Sequence, residues 1–185
     1  MPAGPFLQQD PIGLTLAADQ RFGPLDPALD AVWQLSISPG KALALETSFG
    51  LQAQKFSLFP IFLINRRPVW TIGDFFSQPR VDEIFSDYAS LTCTPAAGFQ
   101  ARYEVWAEAS TSLLCRLSLQ NLTGAKVTLG IQAATELFPL QETAGMAPAM
   151  LQYQHYLSGK TGDLFIAMAA SGKATPVYSP FSALQ

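Results

Sequence analysis

Alternation with a period of two recurs along most of this chain, and it limits the possible folds more than any other feature. Leu113, Cys115, Leu117 and Leu119 alternate with Leu114, Arg116, Ser118 and Gln120. After the stretch Asn121-Leu-Thr-Gly-Ala, Val127, Leu129, Ile131 and Ala133 alternate with Lys126, Thr128, Gly130 and Gln132. Residues two apart share one face of an extended strand, so each segment has a single face to bury. Two such segments around a turn-forming stretch predict a β-hairpin whose odd-numbered residues face the core together. The same alternation runs through Trp33, Leu35 and Ile37, through Leu43, Leu45, Thr47, Phe49 and Leu51, through Ala101, Tyr103, Val105 and Ala107, and through Leu151, Tyr153, His155 and Leu157. Leu164 to Ala170 is apolar on both faces, as in a strand covered from two sides. The pattern predicts about nine to eleven strands.

Helical signals are few and short. Asp26-Pro-Ala-Leu-Asp-Ala pairs an N-cap residue with Pro at the first helical position, enough for a turn or two. Between Pro79 and Tyr88, the spacing of Val81, Ile84, Phe85 and Tyr88 suits either a short amphipathic helix or an irregular crossover. The 14 Pro and 13 Gly are dispersed, so they punctuate strands and mark no linker. The expected fold is all-β, a large antiparallel β-sandwich with one or two short helices. Residues 1–30, with Pro2, Pro5, Pro11, Pro24 and Pro27, form an expected extended lead-in, and 31–185 the sandwich domain. The uncharged, apolar segment Ala174 to Gln185 is an unusual surface end for a domain, and the natural chain is expected to continue beyond it.

Composition removes several function classes. The 185 residues suffice for one large domain or at most two small ones. Charged residues make up 14%, against roughly 25% in a usual soluble domain. Eleven Lys and Arg against 14 Asp and Glu leave a net charge of −3, without a basic footprint for nucleic acid or anionic lipid. The apolar stretch Leu58 to Ile64 is interrupted by Pro60 and falls far short of the roughly 20 residues of a membrane span. Met1-Pro-Ala-Gly-Pro-Phe has neither the basic start nor the apolar run of an export signal, so a cytoplasmic location is expected. In that setting Cys93 and Cys115 are expected as free thiols, a bridge between neighbouring strands being the alternative. Asn121-Leu122-Thr123 spells a glycosylation acceptor but is more simply a turn.

The residues of catalysis are mostly missing. His155 is the single histidine and no Gly-x-Ser-x-Gly elbow accompanies it, so a structural role on its strand is expected. Gly159-Lys160-Thr161 lacks the earlier glycine of a phosphate loop, Gln154 standing in its place. Asp82, Glu83 and Asp87 form the one local acidic group, as expected of a solvated face. No metal, cofactor or catalytic residue is expected. The best polar and aromatic patch is one strand face carrying Arg102, Glu104, Trp106 and Glu108. An indole can stack on a sugar and carboxylates accept from hydroxyls, so these residues are candidates for carbohydrate contact, with Trp70 and Tyr103 as further aromatic platforms. Coverage of the same face by a neighbouring domain is the alternative. Glu104 and Glu108 lie roughly 13 Å apart along a strand, too far for either glycosidase geometry.

Five stretches carry a family resemblance: Trp33-Gln-Leu-Ser-Ile-Ser-Pro-Gly, Ala44-Leu-Glu-Thr-Ser-Phe-Gly-Leu, Phe56-Ser-Leu-Phe-Pro-Ile-Phe, Tyr103-Glu-Val-Trp and Leu117-Ser-Leu-Gln-Asn. Over about residues 30 to 185 the chain resembles the amino-terminal β-supersandwich domain of glycoside hydrolases with an (α/α)6 barrel, the debranching-enzyme-like group. The resemblance implies a supersandwich-like, non-catalytic accessory domain that packs on a following catalytic barrel of the same polypeptide and helps shape its carbohydrate cleft. In that family the catalytic carboxylates belong to the barrel, so none is assigned here. The alternatives are a stand-alone carbohydrate-binding module and an interaction domain without sugar affinity. An accessory domain separated from its barrel is expected to self-associate.

Overall fold

The computed structural model describes residues 12–17, 32–109, 112–138, 146–151, 154–161 and 164–169. They form an all-β, antiparallel sandwich-like fold of thirteen strands with a single 3-10 turn at Ile72–Asp74. The larger sheet contains β1 (Ile12–Ala17), β2 (Val32–Ile37), β3 (Ala44–Thr47), β4 (Lys55–Ile64), β5 (Arg67–Val69) and β10 (Leu129–Phe138). Its order is β1-β2-β3-β4-β10, with β5 paired to β4. A second sheet is a meander of β6 (Ser77–Ile84), β7 (Tyr88–Ala96), β8 (Phe99–Ala109) and β9 (Ser112–Asn121). A third joins β11 (Met146–Leu151), β12 (Gln154–Thr161) and β13 (Leu164–Ala169) in that order. Gly159-Lys160-Thr161 is thus strand backbone, not a phosphate loop, and His155 lies on β12 opposite Met150.

The main core lies between the first two sheets. Leu16, Trp33, Leu35, Leu45, Phe56 and Phe62 come from one, and Ala89, Leu91, Cys93, Ala101, Tyr103 and Val105 from the other. Each fully buried Leu, Ile or Phe in such a layer contributes about 1.5–3 kcal/mol. Ile166 of β13 joins this core. The Ala17 amide donates to the Ser86 carbonyl at 2.8 Å, tying the edge of the larger sheet to the turn between β6 and β7.

Pro60 sits inside β4, where a missing N–H would normally break a ladder. Here β3 pairs with β4 at 56–58 and β5 pairs with it at 62–64. The proline falls in the gap between these two partners, while β10 pairs continuously on the other side. The β3 strand ends at Thr47, short of the alternation that runs to Leu51. Phe49, Gly50 and Leu51 adopt φ of 50°, 63° and 65°, a left-handed turn that two non-glycine residues enter only at a cost. Phe49 offsets it by packing its ring 5.5 Å from both Trp33 and Phe56.

Three expectations are corrected. Segments 113–119 and 127–133 do not form a hairpin: β9 pairs with β8 and β10 with β4, so the chain crosses from one sheet to the other between them. Asn121 builds that corner, its Oδ1 accepting from the Thr123 amide (2.9 Å) and hydroxyl (2.7 Å) while its Nδ2 donates to the Ala125 carbonyl (2.8 Å). Pro79 to Ile84 is strand, not helix. As an edge strand with register irregularities, β6 tolerates Pro79 where a central strand would not. Finally, β13 is an edge strand buried on one face, with Ile166 inside and Ala167 exposed. Within residues 1–30 the described part, Ile12–Ala17, is strand β1; the predicted turn at Asp26–Ala31 and the segment Ala174–Gln185 lie outside the described residues.

Cys93 and Cys115 are free. They sit two strands apart, opposite Ala101 and Val105 of β8, so their Cα atoms are offset by roughly 10 Å across the sheet and 13 Å along it. A disulfide allows about 7 Å at most.

Candidate functional site

Strand β8 divides its side chains as its alternation requires. Ala101, Tyr103, Val105 and Ala107 are buried, and Arg102, Glu104 and Trp106 stand on the outer face. Tyr103 is therefore a core residue at 3% exposure and no surface platform. Neighbouring strands complete the outer face in register: Tyr88 of β7 and Leu114 of β9 flank Trp106, while Ser90 and Arg116 flank Glu104.

Aromatic and charged groups then interlock. Tyr88 lies 5.1 Å from Trp106 and 6.1 Å from Phe85, and the Arg116 guanidinium lies over the Trp106 ring at 5.3 Å. Since Tyr88 approaches from β7 and Arg116 from β9, the indole is enclosed from both flanking strands. Glu104, only 12% exposed, sits 3.4 Å from Arg102 and 3.8 Å from Arg116 and accepts the Tyr88 hydroxyl at 3.3 Å. Beside it, Arg80 lies 2.8 Å from Asp82, and Thr92 donates to the same carboxylate. Burial pushes the Asp82 carboxyl upward, but the Thr92 hydrogen bond and the Arg80 cation outweigh it and hold it below its ordinary value. Ser90 is fully buried beneath this layer, and among the described residues its hydroxyl has no hydrogen-bond partner.

Glu108 lies at the end of β8, where the β8–β9 register skips between Ala107 and Ala109, and it accepts from Ser112 at 3.2 Å. With Asp87, Trp106, Leu114 and Arg116 it lines a shallow groove of ≈ 700 Å³. Four of the sequence candidates, Arg102, Glu104, Trp106 and Glu108, thus share one surface. Trp70 does not join them. It follows β5, its ring 5.9 Å from Phe59 on the outer face of the larger sheet, on the opposite side of the sandwich.

Trp70 borders a concavity of ≈ 270 Å³ that the strand-by-strand pattern did not reveal. Its polar floor crosses four strands. Ser36 of β2 donates to Glu46 of β3 at 3.2 Å, Lys55 of β4 lies 3.5 Å from the same carboxylate, and Ser57 of β4 donates to Glu136 of β10 at 3.1 Å. Ala42, Ala44, Phe59 and Trp70 supply an apolar wall. The wall is anchored by a bridge between Ala42 and Thr71 and by the Ile72 amide donating to Lys41 at 2.9 Å.

Comparison with family models, curated proteins and solved structures finds no match to this chain. Among the described residues no three His, Cys, Asp or Glu side chains converge to hold a metal, and no helix is long and apolar enough to cross a membrane. Both faces offer hydrogen-bonding groups next to aromatic surface, an arrangement for holding a ligand or partner.

Proposed function

We propose that this chain is a non-catalytic accessory sandwich of a carbohydrate-processing enzyme, docking on its catalytic barrel through the outer face of β6–β9. The family resemblance supplies the barrel as partner. The observation favouring docking over glycan stacking at this face is the enclosure of Trp106 between Tyr88 and Arg116. A sugar stacked there needs an open indole face and would have to displace the guanidinium. What stays accessible is the apolar border: Phe85 at 63% and Leu114 at 51% exposure. Aromatic residues and Arg are enriched in protein interfaces, and their combination here fits such a role.

Light scattering on the purified chain tests this proposal. Self-association that Phe85→Ser with Leu114→Ser abolishes, in a protein with unchanged circular dichroism and no turnover of nitrophenyl glycosides, is the expected result. A clean monomer at high concentration that binds oligosaccharide and loses it on Trp106→Ala would instead identify a stand-alone carbohydrate-binding module.

A further inference from the structure

The concavity beside Trp70 is built differently from the aromatic face. Its wall residues Ala42, Ala44 and Phe59 are buried, yet the polar row beside them keeps unused hydrogen-bonding capacity. An ionised carboxylate offers about four acceptor sites. Among the described residues Glu136 uses one of them on Ser57, and Glu46 uses two, on Ser36 and Lys55. Glu46 and Glu136 both stand in register with Ser57, on its two sides, which puts their Cα atoms two strand spacings, roughly 10 Å, apart. Charge is balanced, since Lys41 and Lys55 match the two glutamates, so the lining favours a neutral guest over an ion of either sign. The ≈ 270 Å³ lies just under the range of about 300–1,000 Å³ typical of small-molecule sites.

We propose that this groove binds a small neutral saccharide of one or two rings, its hydroxyl edge on Glu46 and Glu136 and its C–H face toward Trp70. A pyranose has the same division as the groove, a hydroxyl edge that needs acceptors beside an apolar face that needs aromatic surface. No bond is made or broken, and the site serves to hold sugar. The proposal rests on the reading of the chain as a domain that serves carbohydrate chemistry, and it locates the sugar on the face opposite the docking surface.

The test is titration of the isotope-labelled full chain with maltose, cellobiose and xylobiose, followed by amide NMR shifts. The expected result with at least one disaccharide is saturable shifts centred on Lys41 to Glu46, Lys55 to Phe59 and Ala134 to Glu136. Glu136→Gln and Trp70→Phe, both mild enough to preserve the fold, should each weaken binding at least about fivefold, and Trp106→Ala should leave it unchanged. The absence of saturable shifts with all three sugars, shifts centred on Trp106, or binding that both groove variants retain would overturn the proposal. Absent sugar binding with self-association through Phe85 and Leu114 intact removes this site and leaves the docking role. Sugar binding in a chain that never self-associates keeps the site and removes that role.

Discussion

Cys93 and Cys115 show how a single residue's chemistry follows from its place in a layer. Burial pushes the Cys93 thiol up to about 12, and that of Cys115 up to about 11 despite the Tyr103 hydroxyl donating to its sulfur at 3.7 Å. Cys115 belongs to an edge strand and is exposed, but its sulfur is turned toward buried Tyr103, so its thiolate is disfavoured as well. The thiolate is the nucleophile, so both groups should resist iodoacetamide at pH 7.5 in the folded protein and both should react in urea. Rapid labelling of either in the native state would contradict this placement. The sign of the pH dependence follows. From about pH 9 upward the unfolded chain loses thiol protons that the folded chain keeps, so stability falls with rising pH, and Cys93→Ala should flatten that alkaline limb in urea titrations. Asp82 acts at the other end. Its lowered carboxyl stabilises the fold above the ordinary aspartate range and loses that contribution as pH drops through the folded value, so Asp82→Asn should weaken the acid dependence of the urea midpoint.

At the scale of elements, the sequence shows which face a residue takes far better than which strand it pairs with. The alternation in Ala101 to Ala107 correctly separates core from surface, because a strand with one buried face cannot slip by one residue without exposing its apolar set. The same rule correctly orients Leu117 and Leu119 of β9, yet it cannot say that β9 lies against β8 while β10 lies against β4 in another sheet. Either partner satisfies the same parity. The groove was illegible for a related reason: Ser36, Glu46, Ser57 and Glu136 come from four strands spread over a hundred positions, and no local spacing joins them. Their one signal is being polar at outward positions of otherwise apolar strands. The loop that positions the groove wall gives an element-scale prediction. A Cβ on Gly73 would lie 2.7 Å from the Pro39 carbonyl oxygen, so Gly73→Ala must push apart the 3-10 turn and the loop leading to Lys41. It should destabilise by about 1–3 kcal/mol in chemical denaturation, while Gly40→Ala, which meets nothing, should change little.

Across the whole molecule, stability and the proposed functions fall in different layers, and this can be measured. The central layer is apolar and closed: Phe62, Leu35 and Leu91 are at most 1% exposed. Leu35→Ala should cost about 2–5 kcal/mol, whereas Leu129→Ala, at a half-buried position that opens β10, should cost nearer 1 kcal/mol. The two outer faces lie on opposite sides of this layer, about 10 Å of core apart before their own side chains are counted. Among the described residues Glu104 on one face and Glu136 on the other share no hydrogen-bond partner or ion pair. Glu104→Gln removes charge from a carboxylate held by two exposed arginines and a tyrosine, and should cost about 1 kcal/mol. Glu136→Gln keeps an acceptor for Ser57 and should cost less. Separated sites without common partners add within about 0.3–0.5 kcal/mol, so the double variant should equal the sum of the singles in urea unfolding. A larger coupling would mean that the sandwich transmits strain from one face to the other, and that the proposed docking at β6–β9 and the proposed occupancy of the groove would be linked instead of independent.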